Sequence, residues 1–152
     1  MRRTLLVLTT LLLLLGGAAQ AQQWFGIRTG YPLGVTVHYG TALQAFDLRV
    51  SGRVVARGDA VRVGVGFDAL STIARQGPLS AYIGAGPAFE VGEDAFLLDV
   101  HALVGGELRF GEVGLDPLGV FVEGSLGGQL NLSGGEAEVP SIGAALGVNW
   151  HF

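Results

Sequence analysis

The sequence predicts an all-β protein, an antiparallel up-and-down transmembrane β-barrel of about eight strands. Three observations carry that expectation. From Trp24 to the C-terminus the hydrophobic period is two rather than 3.6. Charged residues that fall inside the alternating segments all take the phase opposite the large apolar side chains. Beyond the first 21 residues, no stretch reaches the ~20 apolar residues of a spanning helix, although the chain is 49% hydrophobic with 26 glycines.

The N-terminus is read separately. Arg2 and Arg3 precede an apolar run that includes Leu11 to Leu15, and Ala19-Gln20-Ala21 fits a signal-peptidase site. Residues 1–21 are therefore expected to be a cleaved signal peptide and 22–152 a single domain. The domain contains no cysteine, so an exported chain of this size must be held by a core or by a membrane rather than by disulfides. It also lacks lysine, and its acidic balance provides no basic patch for nucleic acid.

The last strand displays the alternation most clearly. Ile142, Ala144, Leu146, Val148, Trp150 and Phe152 share one face; Gly143, Ala145, Gly147, Asn149 and His151 share the other. Segments around Val120–Leu130, Phe96–Phe110, Ala81–Glu90, Val61–Asp68 and Phe46–Val54 repeat the pattern, and two shorter ones begin at Phe25 and Val35. Turn residues separate them at Tyr31-Pro32, Gly40-Thr41, Arg57-Gly58-Asp59, Gln76-Gly77-Pro78, Gly92-Glu93-Asp94, Gly114 to Pro117 and Ser133-Gly134-Gly135. Pro87 falls within the fifth segment, where its missing N–H predicts a bulge or early fraying.

The polar face carries Arg28, Asp47, Arg49, Arg53, Arg62, Asp68, Glu90, Asp99, Glu107, Arg109 and Glu123. Size decides which face is inside. An eight-stranded barrel has an interior only wide enough for side chains to fill, and the bulky Val, Leu, Ile and Phe face does not fit there, whereas the glycine-rich face does. The bulky face is expected to meet lipid, because an Arg on it would cost ~2–4 kcal/mol at the bilayer midplane. Aromatic residues should then form interfacial girdles. With both termini periplasmic, Phe25, Tyr39, Phe46, Phe110, Trp150 and Phe152 fall at the lower level and Tyr31, Phe89 and Phe96 at the upper. Tyr82 and Phe121 point inward.

On these residues the chain resembles small eight-stranded outer-membrane barrels of the kind found in the transmembrane domain of OmpA and in OmpX and OmpW. The most specific element is the C-terminal segment Leu146, Val148, Trp150 and Phe152, an alternating stretch with a terminal aromatic. The resemblance implies a bacterial outer-membrane location and a partner, the barrel-assembly machinery, that reads this segment during biogenesis.

The inward charges are nearly balanced, five arginines against six acids, which predicts a lumen plugged by paired guanidinium and carboxylate groups. By depth, Arg53, Arg62, Glu90 and Asp99 form an upper cluster, and Arg49, Asp68, Glu107, Arg109 and Glu123 a lower one. A narrow pore passing small solutes is the alternative. A lipid-modifying enzyme would need a nucleophile beside a base, and the only grouping available is Asp99, His101 and Ser125. The three histidines, His38, His101 and His151, lie on different strands and make no metal motif, and no glycine-rich loop precedes a helix, so neither metal nor cofactor is expected. An adhesin would act through its loops, which are short.

Overall fold

The computed structural model describes residues 22–57, 60–93, 95–111, 114–135 and 137–152. The expected leader, residues 1–21, lies outside them, as do Gly58, Asp59 and Asp94 of two expected turns. The alternating segments become eight strands: β1 (Gln23–Tyr31), β2 (Gly34–Ala42), β3 (Asp47–Arg57), β4 (Ala60–Gln76), β5 (Leu79–Val91), β6 (Phe96–Arg109), β7 (Leu118–Asn131) and β8 (Ala137–His151). Each pairs antiparallel with its sequence neighbour, and β8 returns to β1 to close the barrel. Closure removes every edge from the level that β1 reaches, which is what a sheet needs in a medium without water to satisfy its N–H and C=O groups. At the end carrying both termini, Phe152 N–H donates to Gln23 O (2.9 Å) and Gln23 N–H to Phe152 O (3.2 Å).

The interior and exterior are inverted relative to a water-soluble domain. Among the described residues, seven hydrophobic side chains are buried and twelve polar or charged ones are, while the large apolar residues exposed on the outside number 32. In water that continuous surface would be an aggregating patch; in a bilayer it is the solvent-facing side. Outside, Tyr39, Phe25 and Trp150 stand abreast on β2, β1 and β8 near the terminal end. Near the other end, the rings of Phe89 and Phe96 stack at 6.2 Å and 19°. Phe46 lies in the β2–β3 turn and Phe110 just beyond β6; Phe89 and Phe110 are half-buried, and the other seven girdle residues are exposed.

Glycine explains how a narrow interior accepts aromatic rings. Trp24, Tyr82 and Phe121 point inward, and each faces a glycine directly across the ladder, at Gly40, Gly105 and Gly147. A Cβ on Gly40 would lie 2.1 Å from the Trp24 ring, one on Gly105 2.5 Å from Tyr82 and one on Gly147 2.4 Å from Phe121. Gly40 and Thr41 are therefore strand residues rather than the turn expected there: β2 runs on to Ala42 and the turn follows, closed by Leu43 N–H donating to Phe46 O (2.9 Å). The glycine that looked like a turn signal is space beneath a ring.

Pro87 also departs from expectation. No bulge forms there. The β4–β5 ladder lapses opposite Gly86 and Pro87 but resumes in the same register at Ala69↔Ala85. Gly86 permits this, since a Cβ there would lie 1.7 Å from Phe67 O. The bulge in this seam falls between Thr72 and Ala74 instead, and a second register shift, between Gly127 and Gln129, falls opposite Pro140. The first has a consequence for the lumen. An extra residue in β4 resets the inside–outside phase, so Arg75, beyond the Val61–Asp68 segment read from the sequence, lines the lumen opposite Ser80.

Candidate functional site: the polar lumen

The lumen chemistry is built from the inward phase of every strand. At its centre the Arg49 guanidinium, 2% exposed, forms ion pairs with two carboxylates from different strands, Asp68 of β4 (Nη2–Oδ2 2.9 Å) and Glu123 of β7. Its Nε also donates to Asp68 Oδ2 at 3.0 Å. Arg28 of β1 pairs with the other oxygen of Glu123, and the Tyr82 hydroxyl of β5 donates to Glu123 Oε1 at 2.8 Å. His101 of β6 bridges Asp68 Oδ1 (Nε2, 3.0 Å) and Asp99 Oδ1 (Nδ1, 2.8 Å), and Ser141 of β8 donates to Asp99 Oδ2 at 3.2 Å. This single network draws side chains from seven of the eight strands. Removing a charged group from water costs several kcal/mol, and only partners on several sides offset that cost.

The grouping differs from the two clusters expected by depth. Arg53 and Glu90 do pair, at 2.8 Å. Asp99, however, is joined through His101 to Asp68 rather than to Arg53 directly, and Arg28 belongs to the centre. Strand stagger explains the difference, because hydrogen-bonded neighbours climb along a tilted barrel and equal distance from a strand end is not equal height. Arg62 lies on the lumen phase of β4, beside Gly92. Below the centre, Glu107 accepts from Asn149 Nδ2 (3.1 Å) and His151 Nε2 (2.6 Å), with Arg109 Nε at 3.8 Å. His38 Nε2 sits 2.8 Å from Asn149 Oδ1 and its ring meets Phe121 edge-on at 5.6 Å.

Among the described residues, one cavity lies on each side of this layer. The one toward the β1–β2 hairpin measures about 120 Å³ and is lined by Arg28, Arg53, Glu90, Asp99, His101 and Glu123 among others. The one toward the termini measures about 150 Å³ and is lined by Asp47, Arg49, Arg75, Tyr82, Glu107 and Arg109 among others. Glu123 faces the upper space and Arg49 the lower, so their ion pair lies between the two.

Several inward residues escaped the sequence reading. Trp24, Leu70 and Leu103 pack together inside, with Tyr82 against them. Their alternation gave the signal, since each lies an even number of positions from an inward charge: Leu70 from Asp68, Leu103 from His101, Trp24 from Arg28. The Asp99, His101 and Ser125 grouping does not assemble, because both ring nitrogens of His101 are held by carboxylates and neither is left to activate Ser125. Among the described residues, no cluster of three or more His, Asp or Glu side chains is arranged to hold a metal ion.

No family model matches the chain, and no curated protein matches it. Among solved structures, the crystal structure of Neisserial surface protein A is similar to it, with 13% identity over 87% of this chain and 94% of that one and a TM-score of 0.58. The two share a fold. Neisserial surface protein A thus supports, as an independent structure, the eight-stranded closed architecture and the resemblance to small outer-membrane barrels read from alternation and charge placement. At that identity the likeness to Neisserial surface protein A is one of backbone, and the lumen side chains are argued from this chain alone.

Proposed function

We propose that the chain is an integral protein of a bacterial outer membrane with a structural role, and that its lumen is plugged by arginine–carboxylate pairs. The observation that carries this reading is the ion pair of Arg49 and Glu123. A guanidinium 2% exposed, held by carboxylates from two strands, lies between the two cavities and supports a plug at that level. The apolar exterior supports a bilayer setting, and the signal-peptide pattern expected of residues 1–21 together with the alternating Leu146, Val148, Trp150 and Phe152 supports the outer membrane, with the barrel-assembly machinery as its partner in biogenesis and both termini periplasmic. A chain of this kind needs no catalytic group, and His101 is fully committed to its two carboxylates.

A narrow pore is the second reading, favoured by the presence of a polar cavity on each side of that pair. Planar-bilayer recording on the purified barrel separates the two. A plugged lumen passes little or no current. Steady conductance that responds to substitution of Arg53 or Glu107 would replace the structural reading with the pore. A water-soluble monomer with helical circular dichroism would remove both.

A further inference from the structure

Asp47 and Arg75 face the cavity toward the termini from different strands and do not meet. Asp47 opens β3 opposite Leu70, and Arg75 stands on the part of β4 that runs past Leu70 toward the terminal end. Among the described residues, neither makes a hydrogen bond or an ion pair. Arg75 and Arg109 are the cations whose charge reaches the Asp47 carboxylate, and both do so from beyond ion-pair distance. Arg109 is itself loosely held, its Nε 3.8 Å from Glu107 Oε2, whereas Glu107 has direct donors in Asn149 and His151. The acid left without a donor is Asp47, and the cation left without an acceptor is Arg75.

The irregularity in β4 creates this arrangement. In an unbroken ladder Ile73 would pair with Ala81 and Arg75 would take the outward phase; the extra residue between Thr72 and Ala74 turns Arg75 inward, opposite Ser80. A bulge that re-aims one side chain into a cavity is a recurring device at binding sites. The space it faces measures about 150 Å³, room for about five waters at ~30 Å³ each or for one small solute. Gln22, Thr72 and Arg75 are exposed at its mouth, so it is reached from water rather than from lipid. Trp24 and Leu70, 7% and 6% exposed, give it an apolar wall, and the Arg49 at its inner end is already committed to Asp68 and Glu123. A simple anion placed here would face Asp47, and a simple cation would face Arg75 and Arg109; a ligand with both charges on neighbouring atoms satisfies each side.

We infer that the cavity at the terminal end is a binding site for a free α-amino acid with a small apolar side chain. The guanidinium fork of Arg75 donates to the ligand carboxylate at the mouth, with Arg109 beside it. The ammonium enters first and donates to Asp47, and the side chain packs against Trp24 and Leu70. The inference goes beyond the structural role and needs only that the terminal mouth of the barrel face water.

The test uses the barrel in lipid nanodiscs, titrated with valine and followed by NMR. Saturable shifts are expected at the Arg75 Nε–H and at the amides of Leu70 and Ser80. Isovalerate, which lacks the ammonium, and isobutylamine, which lacks the carboxylate, should each bind at least about tenfold more weakly than valine. Asp47→Asn and Arg75→Gln, which keep the side-chain size and remove one charge each, should also weaken valine binding at least about tenfold. Isovalerate or isobutylamine binding as tightly as valine, valine binding unaltered in both variants, or the absence of any saturable shift would overturn the site. Heat-modified mobility of wild type and each variant, recorded alongside, shows whether the barrel itself has formed, so failure of the fold reading is distinguished from failure of the site.

Discussion

Arg49 and Glu123, 74 residues apart in sequence, meet in the middle of the lumen as a buried ion pair. Arg49 reaches Glu123 from β3 and holds Asp68 of β4 at the same time, so one guanidinium bridges carboxylates from two other strands. In an interior of this kind the pair's desolvation cost offsets much of its attraction. Its loss is another matter.

Arg49→Met leaves Glu123 and Asp68 short of their shared partner. It is expected to destabilise the barrel by about 3–5 kcal/mol. The added substitution Glu123→Gln should recover part of that loss. Urea titration of the heat-modifiable band in liposomes measures both, and equal stability of wild type and Arg49→Met would refute the pair as a structural element.

The two tryptophans report the two faces. Trp150 is 53% exposed on the outside and Trp24 7% exposed within. In single-tryptophan variants, Trp24→Phe and Trp150→Phe, brominated acyl chains are expected to quench Trp150 strongly and Trp24 weakly. Equal quenching would mean that the inside–outside assignment is wrong.

Filling the glycine beneath an inward ring should strain the wall. Gly147→Ala places a Cβ 2.4 Å from the Phe121 ring and 2.5 Å from Ile27 O, and overpacking of this kind costs about 1–3 kcal/mol. Phe121→Leu in the same chain relieves only the ring clash, so it should restore stability in part. Thermal melts of the single and double variants check the difference.

His101→Ala separates a structural role from catalysis. Asp68 and Asp99 lose a shared donor, so the folded band should melt at lower temperature, while the acyl chains of lipid A and phospholipid remain unchanged on expression. Mass spectra of those lipids from cells making wild type or variant decide it; chain changes present with wild type and lost in the variant would make the protein an enzyme.

Much of this could be read before the fold was known, because a strand exposes its chemistry with a period of two and each charge marks a phase. Eight segments, their faces and the outward Val, Leu and Phe residues follow from that rule alone. Local signals failed where a residue's meaning depends on the neighbouring strand. Gly40 reads as a turn until Trp24 is placed opposite it, and Pro87 reads as a break until Gly86 lets the β4 backbone approach. Arg75 lies beyond the segment read as the fourth strand and enters the lumen because the irregularity at Thr72–Ala74 resets the phase.

The sequence by itself determined the class of fold and which face of each strand points outward, since alternation and the phase of the charges act within each strand. Only the tertiary structure decided which charges become partners, which stay apart and where the lumen cavities lie. Those depend on stagger between strands, which period-two patterning leaves free and closure of the barrel sets.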